Sequence, residues 1–190
     1  MPKLNLNMFG RIVFPGVAII LFLFWKQGWP LFLEPGLFGF FIGLIVYPFY
    51  RATYFLLMRW LLSKTFKIPQ YDFHNSLVDS LQLSPKLKTI WKASACASNV
   101  LQKKAPDNFL KELAIFNMFV HILYMTSLLS IGAIVYSLYP LQAQEVVLWL
   151  IVFLVTSIAG LLLDHFQADP RETLFLKQYQ KDYEEALKTL

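Results

Sequence analysis

Four long apolar runs, separated by short turns and one polar stretch, set the pattern of this 190-residue chain. The first extends from Ile12 to Trp25, with Lys3 and Arg11 before it and Lys26 after it. As a helix it rises about 21 Å, short of the ~30 Å hydrocarbon core of a bilayer. Lengthening through Met8, with Arg11 snorkelling to the headgroups, gives a span over about 8–26. Lys26-Gln27-Gly28-Trp29-Pro30 comes next, bulky where signal-peptide cleavage needs small residues, so the run reads as an uncleaved anchor.

The second run starts at Gly36 and continues past Pro48 into the amphipathic stretch Ala52–Leu62. The pattern predicts a tilted span over 36–62 with a kink at Pro48. The alternative is an interfacial helix from Tyr50 to Leu62. Arg51 and Arg59, eight apart and so on nearly one face, would then point to lipid phosphates. The third run covers 113–139 and stops at Pro140; the fourth covers 146–163 and carries no charge.

Between the second and third runs, Ser84-Pro85 has the form of an N-cap with proline at the first helical position. Leu87, Ile90, Trp91, Ser94, Ala97 and Leu101 recur at helical spacing, predicting a helix from Pro85 to about Lys103. A shorter helix is expected around Asn75–Leu83, and Asp107 is expected to cap the third run. In the tail, Asp169-Pro170-Arg171-Glu172 reads as a capping box. Phe175, Tyr179, Tyr183, Leu187 and Leu190 would line one face of a helix running to the end.

The resulting fold class is an all-α integral membrane protein with four transmembrane helices arranged as two hairpins. Residues 1–62 form the first hairpin, 63–112 a basic helical cytoplasmic segment, 113–163 the second hairpin, and 164–190 a cytoplasmic amphipathic tail helix. Composition agrees: 57% of residues are apolar and 15% charged, against about 25% charged in a soluble domain. The net charge of +5 is an orientation signal, not a nucleic-acid footprint, because 16 of the 17 Lys and Arg lie outside the two hairpin turns. The positive-inside rule puts both termini in the cytoplasm, and a bacterial inner membrane is the expected location. Residues 64–112 hold 8 lysines against 4 acidic residues, and the tail from Asp164 holds 4 basic against 6 acidic ones. Opposite charge on the same side suggests that the tail docks on the central segment.

Chemistry is sparse. The single Cys96 reads as a buried filler, and no zinc ligand spacing, phosphate loop, dinucleotide turn or nucleophile elbow occurs. No metal or other cofactor is expected. Polar residues within a span are functional candidates, and the third run has the best set. Asn117, His121 and Tyr124 share one helical face, and Thr126 and Ser130 another. They would serve as hydrogen bonds between helices or, alternatively, line a proton or ion path. Gly39 and Gly43 make a G-x-x-x-G for close helix packing, with the first span as the natural partner. Asp164 and His165 sit where the fourth run ends, His165 near the expected helix carboxyl end, and His74 reads as a surface residue. The expected function is a non-catalytic polytopic subunit of a multiprotein membrane assembly of the secretion, conjugation or envelope type. The alternatives are a homo-oligomeric, membrane-permeabilising pore and an immunity protein against a pore-forming toxin; a lipid-modifying enzyme using His121, Asp164 or His165 is a weaker third. The partners expected are other membrane subunits or copies of the chain and anionic lipid headgroups, with no nucleic acid.

Overall fold

Proline at a first helical position, long apolar runs, and threonine or left-handed residues at the joints account for the helices of the computed structural model. It describes residues 13–14, 16–21, 35–85, 90–139 and 141–189. Every element among them is helical: α1 (Pro35–Ala52), α2 (Tyr54–Thr65), α3 (Pro69–Ser80), α4 (Ile90–Lys104), α5 (Asp107–Ser137), α6 (Ala143–Leu163), a π turn (Asp164–Ala168), α7 (Asp169–Gln178) and α8 (Gln180–Lys188). Three helical stretches, Gly39–Leu62, Asp107–Ser137 and Ala143–Gln178, are long and apolar enough to cross a membrane. Most of the expected first span, about 8–26, lies outside the described residues; 13–14 and 16–21 are described, and they are helical.

The chain divides into two compact units. Unit 1 comprises residues 1–60 and 118–161, and unit 2 comprises 61–117 and 162–190. In unit 1 a one-residue turn at Thr53 separates α1 from α2. Pro48 stays inside α1. The Thr53 hydroxyl donates to the Phe49 carbonyl at 2.7 Å, a back-bond that competes with the helical ladder and bends helices.

Unit 2 has an apolar core of its own. Leu77 of α3, Cys96, Ala97 and Val100 of α4, and Leu176, Tyr183 and Leu187 of the tail bury one another. Leu101, Leu113 and Phe175 extend it. The tail therefore docks on the central segment through apolar contacts. The exposed Lys104–Asp182 pair at 2.8 Å raises the Lys104 pKa through its hydrogen bond and charge, and adds little to stability.

Three local expectations are corrected by the structure. Helix α3 begins at Pro69, well before Asn75, because proline at its first position needs no N–H partner. Asp169 does not cap its own helix, since the chain enters α7 still helical through the π turn. Its carboxylate accepts the Gln70 N–H at 3.1 Å and so caps α3, ninety-nine residues earlier. The tail is also not one helix: Tyr179 (φ −111°, ψ 38°) separates α7 from α8. Of the predicted 85–103 helix, residues 86–89 lie outside the described residues and the rest is α4.

Helix α3 ends with Gln82 at φ 52°, the left-handed position of a Schellman turn, with Leu83 N–H donating to Val78 O (3.0 Å) and Gln82 N–H to Asp79 O (3.1 Å). A side chain costs free energy there that glycine does not. Gln82→Gly is expected to stabilise unit 2 by about 1 kcal/mol, read as a raised unfolding midpoint of the detergent-solubilised protein.

Candidate functional site: an intramembrane polar network

Helix α5 turns a polar face inward. Within unit 1 its buried positions include His121, Tyr124, Ser127, Ser130 and Ser137. The outward positions Phe119, Ile131, Val135 and Tyr136 are aromatic or aliphatic and exposed. Such an inside-out division suits a helix surrounded by hydrocarbon, where only other protein groups can satisfy a hydroxyl.

Two sets of hydrogen bonds tie this face to its neighbours. The Tyr50 hydroxyl lies 3.0 Å from Nδ1 of His121 and 3.4 Å from the His121 carbonyl. The imidazole sits in an aromatic box, with ring centroids of Tyr47 and Tyr50 at 5.8 Å and of Phe55 at 4.6 Å. Four residues on from Tyr50, the Tyr54 hydroxyl bonds Ser127 Oγ, which bonds Ser157 Oγ of α6 at 2.6 Å. Three hydroxyls from α2, α5 and α6 thus form a buried chain. At the far end of α5, the Ser137 hydroxyl donates to the Glu145 carboxylate at 3.0 Å.

Close approach accompanies these bonds. A Cβ built on Gly160, one turn beyond Ser157, would lie 2.6 Å from the Tyr124 ring, so the fully buried tyrosine occupies the space glycine leaves. On α1, a Cβ on Gly39 would lie 2.5 Å from the Val17 side chain, and one on Gly16 would strike the Gly39 carbonyl. Gly43, one turn further along α1, is buried as well.

The five expected polar residues do not act as one face. His121 and Tyr124 face the interior of unit 1. Asn117 belongs to unit 2, where its amide donates to Glu172 at 3.2 Å. Thr126 and Ser130 donate to carbonyls one turn back on α5 itself, Ile122 O at 2.9 Å and Thr126 O at 2.8 Å. Arg51 is exposed but Arg59 is only 8% exposed, so the shared lipid-facing surface is absent. Eight residues turn a helix about 80° past two full turns, so the two arginines do not share one face.

Sequence reasoning missed Tyr50, Tyr54, Ser127 and Ser157. A signal existed: Tyr47, Tyr50 and Tyr54 make a stripe at i, i+3, i+7, and Ser127 continues the His121–Tyr124 face. His74, expected at the surface, is 1% exposed, with Nδ1 2.8 Å from the Tyr183 hydroxyl. His165 is not at a helix end, because the helix continues through the π turn; its ring lies 5.5 Å from that of Phe66. Cys96 is buried, its thiol 3.7 Å from the Ala186 carbonyl.

Chemically the chain joins a phenol, Tyr54, to two serine alcohols. No base contacts Ser127 or Ser157 among the described residues. No three His, Cys, Asp or Glu side chains converge there as a metal site either. No protein-family model, curated protein or solved structure matches the chain.

Ser127→Ala leaves two buried hydroxyls short of a partner, and a loss of about 1–2 kcal/mol is expected by thermal unfolding in nanodiscs. Gly160→Ala is expected to cost about 1–3 kcal/mol through overpacking against Tyr124. Thr126→Val, which removes only a bond within one helix, should stay within about 0.5 kcal/mol.

In unit 2, burial holds the Tyr183 phenol well above its ordinary pKa, with the neighbouring Cys96 and Glu172 adding to the effect. The unfolded phenol therefore ionises first. The stability Tyr183 contributes is fully present below about pH 10 and declines as pH rises beyond it. Unfolding midpoints above pH 10 should fall less steeply for Tyr183→Phe than for the wild type.

Proposed function

We propose that this chain is a non-catalytic polytopic subunit of a multiprotein membrane assembly of the secretion, conjugation or envelope-machinery type. In this reading four helices cross the membrane as two hairpins, both termini are cytoplasmic, and the membrane is a bacterial inner membrane. The first hairpin packs through Gly39 and Gly43, and unit 2 forms the cytoplasmic layer. The partners are other membrane subunits, with anionic lipid headgroups at Arg51.

One observation carries the reading. Tyr50 with His121, and Tyr54 with Ser127 and Ser157, bond side chain to side chain across α1, α2, α5 and α6. They serve as fasteners inside the bundle, where a pore would need hydroxyls turned to water and an enzyme a hydroxyl set against a base. The outward face of α6 supports it too: Val147, Ile151, Leu154, Val155, Ile158 and Leu162 are exposed, and 11% of the most apolar window of that stretch is buried within the chain.

Gentle solubilisation from the native host, followed by mass and composition analysis of the particle, tests the proposal. Stoichiometric unrelated membrane proteins are the expected result. A particle made only of this chain would overturn it, and planar-bilayer conductance would then decide for a pore. Protection of cells against a pore-forming toxin, with no resident partner, would favour the immunity reading instead.

A further inference from the structure

Just beyond the apolar stretch Gly39–Leu62, Lys64 and Lys67 are exposed with Phe66 between them, 48% exposed. The Phe66 ring reaches His165 of the π turn at 5.5 Å, and the His165 ring meets that of Phe166 at 4.7 Å. Phe166 is 63% exposed, and Leu61 and Leu162 of the same two segments are exposed as well. The end of α2 and the π turn thus share one apolar patch carrying two ammonium groups. Segments 61–68 and 162–168 carry two lysines, both exposed, and one carboxylate, Asp164, which is buried.

We propose that this patch is a binding site for anionic phospholipid headgroups. Phe66 and Phe166 sit at the boundary of headgroup and acyl chain, and Lys64 and Lys67 meet the phosphate. The inference rests on Gly39–Leu62 lying in the membrane, since that places the end of α2 at the interface. Aromatic rings and lysine stems at that depth bury apolar surface while the ammonium stays among the headgroups. A small soluble phosphate ester would meet the same charges but leave both rings in water. The exposed rings therefore select the lipid.

The test uses the full chain in phosphatidylcholine bilayers containing spin-labelled phosphatidylglycerol or spin-labelled phosphatidylcholine. The quantity read is the association constant of the first relative to the second. Wild type is expected to prefer phosphatidylglycerol, with the preference falling as salt is added. Lys64→Gln with Lys67→Gln should lower it by about fivefold per lysine removed. Lys64→Arg with Lys67→Arg should keep it, which separates loss of charge from loss of fold, and Lys103→Gln on α4 should leave it unchanged. The proposal is overturned if wild type shows no preference or if the double glutamine variant retains it. It is equally overturned if the arginine variant loses the preference, or if Lys103→Gln lowers it as much. Failure of these outcomes would leave the subunit proposal standing, because that depends on co-purifying proteins alone.

Discussion

A hydroxyl or imidazole among apolar helices has no water to turn to, and in hydrocarbon it must find its partner within the protein. The bonds of Tyr54 to Ser127 to Ser157, and of Tyr50 to His121, answer that constraint in unit 1. Their strength is modest, about 0.6–2 kcal/mol each in comparable settings. Their main consequence is alignment. Apolar faces slide past one another at little cost, whereas a slip of one residue along α5 rotates Ser127 about 100° away from both partners. Gly160 lets α6 and α5 approach beside Ser157, since a methyl there would collide with Tyr124, and Gly39 separately gives room to Val17.

Unit 2 solves a different problem. Its short helices would be marginal alone, and it binds them through an apolar core drawn from segments distant in sequence. The amino end of α3 leaves N–H groups that lie buried, and Asp169 supplies the acceptor. The π turn makes that possible. One wide turn carries an extra residue, rotating α7 by about 100° relative to its position in an unbroken α-helix. Asp169 is thereby free to serve another helix, where a capping box would have turned it on its own.

The apolar stretches were legible because hydropathy over twenty residues is a strong local signal, and so was the amphipathic tail. The joints were less so. Pro48 stays within α1, while Thr53, with an ordinary sequence context, forms the turn before α2 and back-bonds through its own hydroxyl. Asp169 fits a capping pattern letter for letter, but the pattern presumes that the chain before it is not helical. His74 and Ser127 were misjudged or missed for one reason: a helical wheel shows which residues share a face, not what that face meets. Tyr183 lies 109 positions from His74, and Ser157 lies 30 from Ser127.

The same geometry decides which chemistry the buried groups can share. A serine becomes a nucleophile when an imidazole or carboxylate can take its proton, within about 3.2 Å. Ser127 and His121 lie on one helix, but six residues of rise separate their backbones by about 9 Å. His121 is turned to Tyr50, and Ser127 to Tyr54 and Ser157. Phe55 packs close to the imidazole, tilted to it with ring centroids 4.6 Å apart, and Tyr124 fills the space beside Gly160. Imidazole and serine therefore stand in separate hydrogen-bonded sets with aromatic rings packed around them. That arrangement ties α1, α2, α5 and α6 together, and it gives neither serine an imidazole to take its proton.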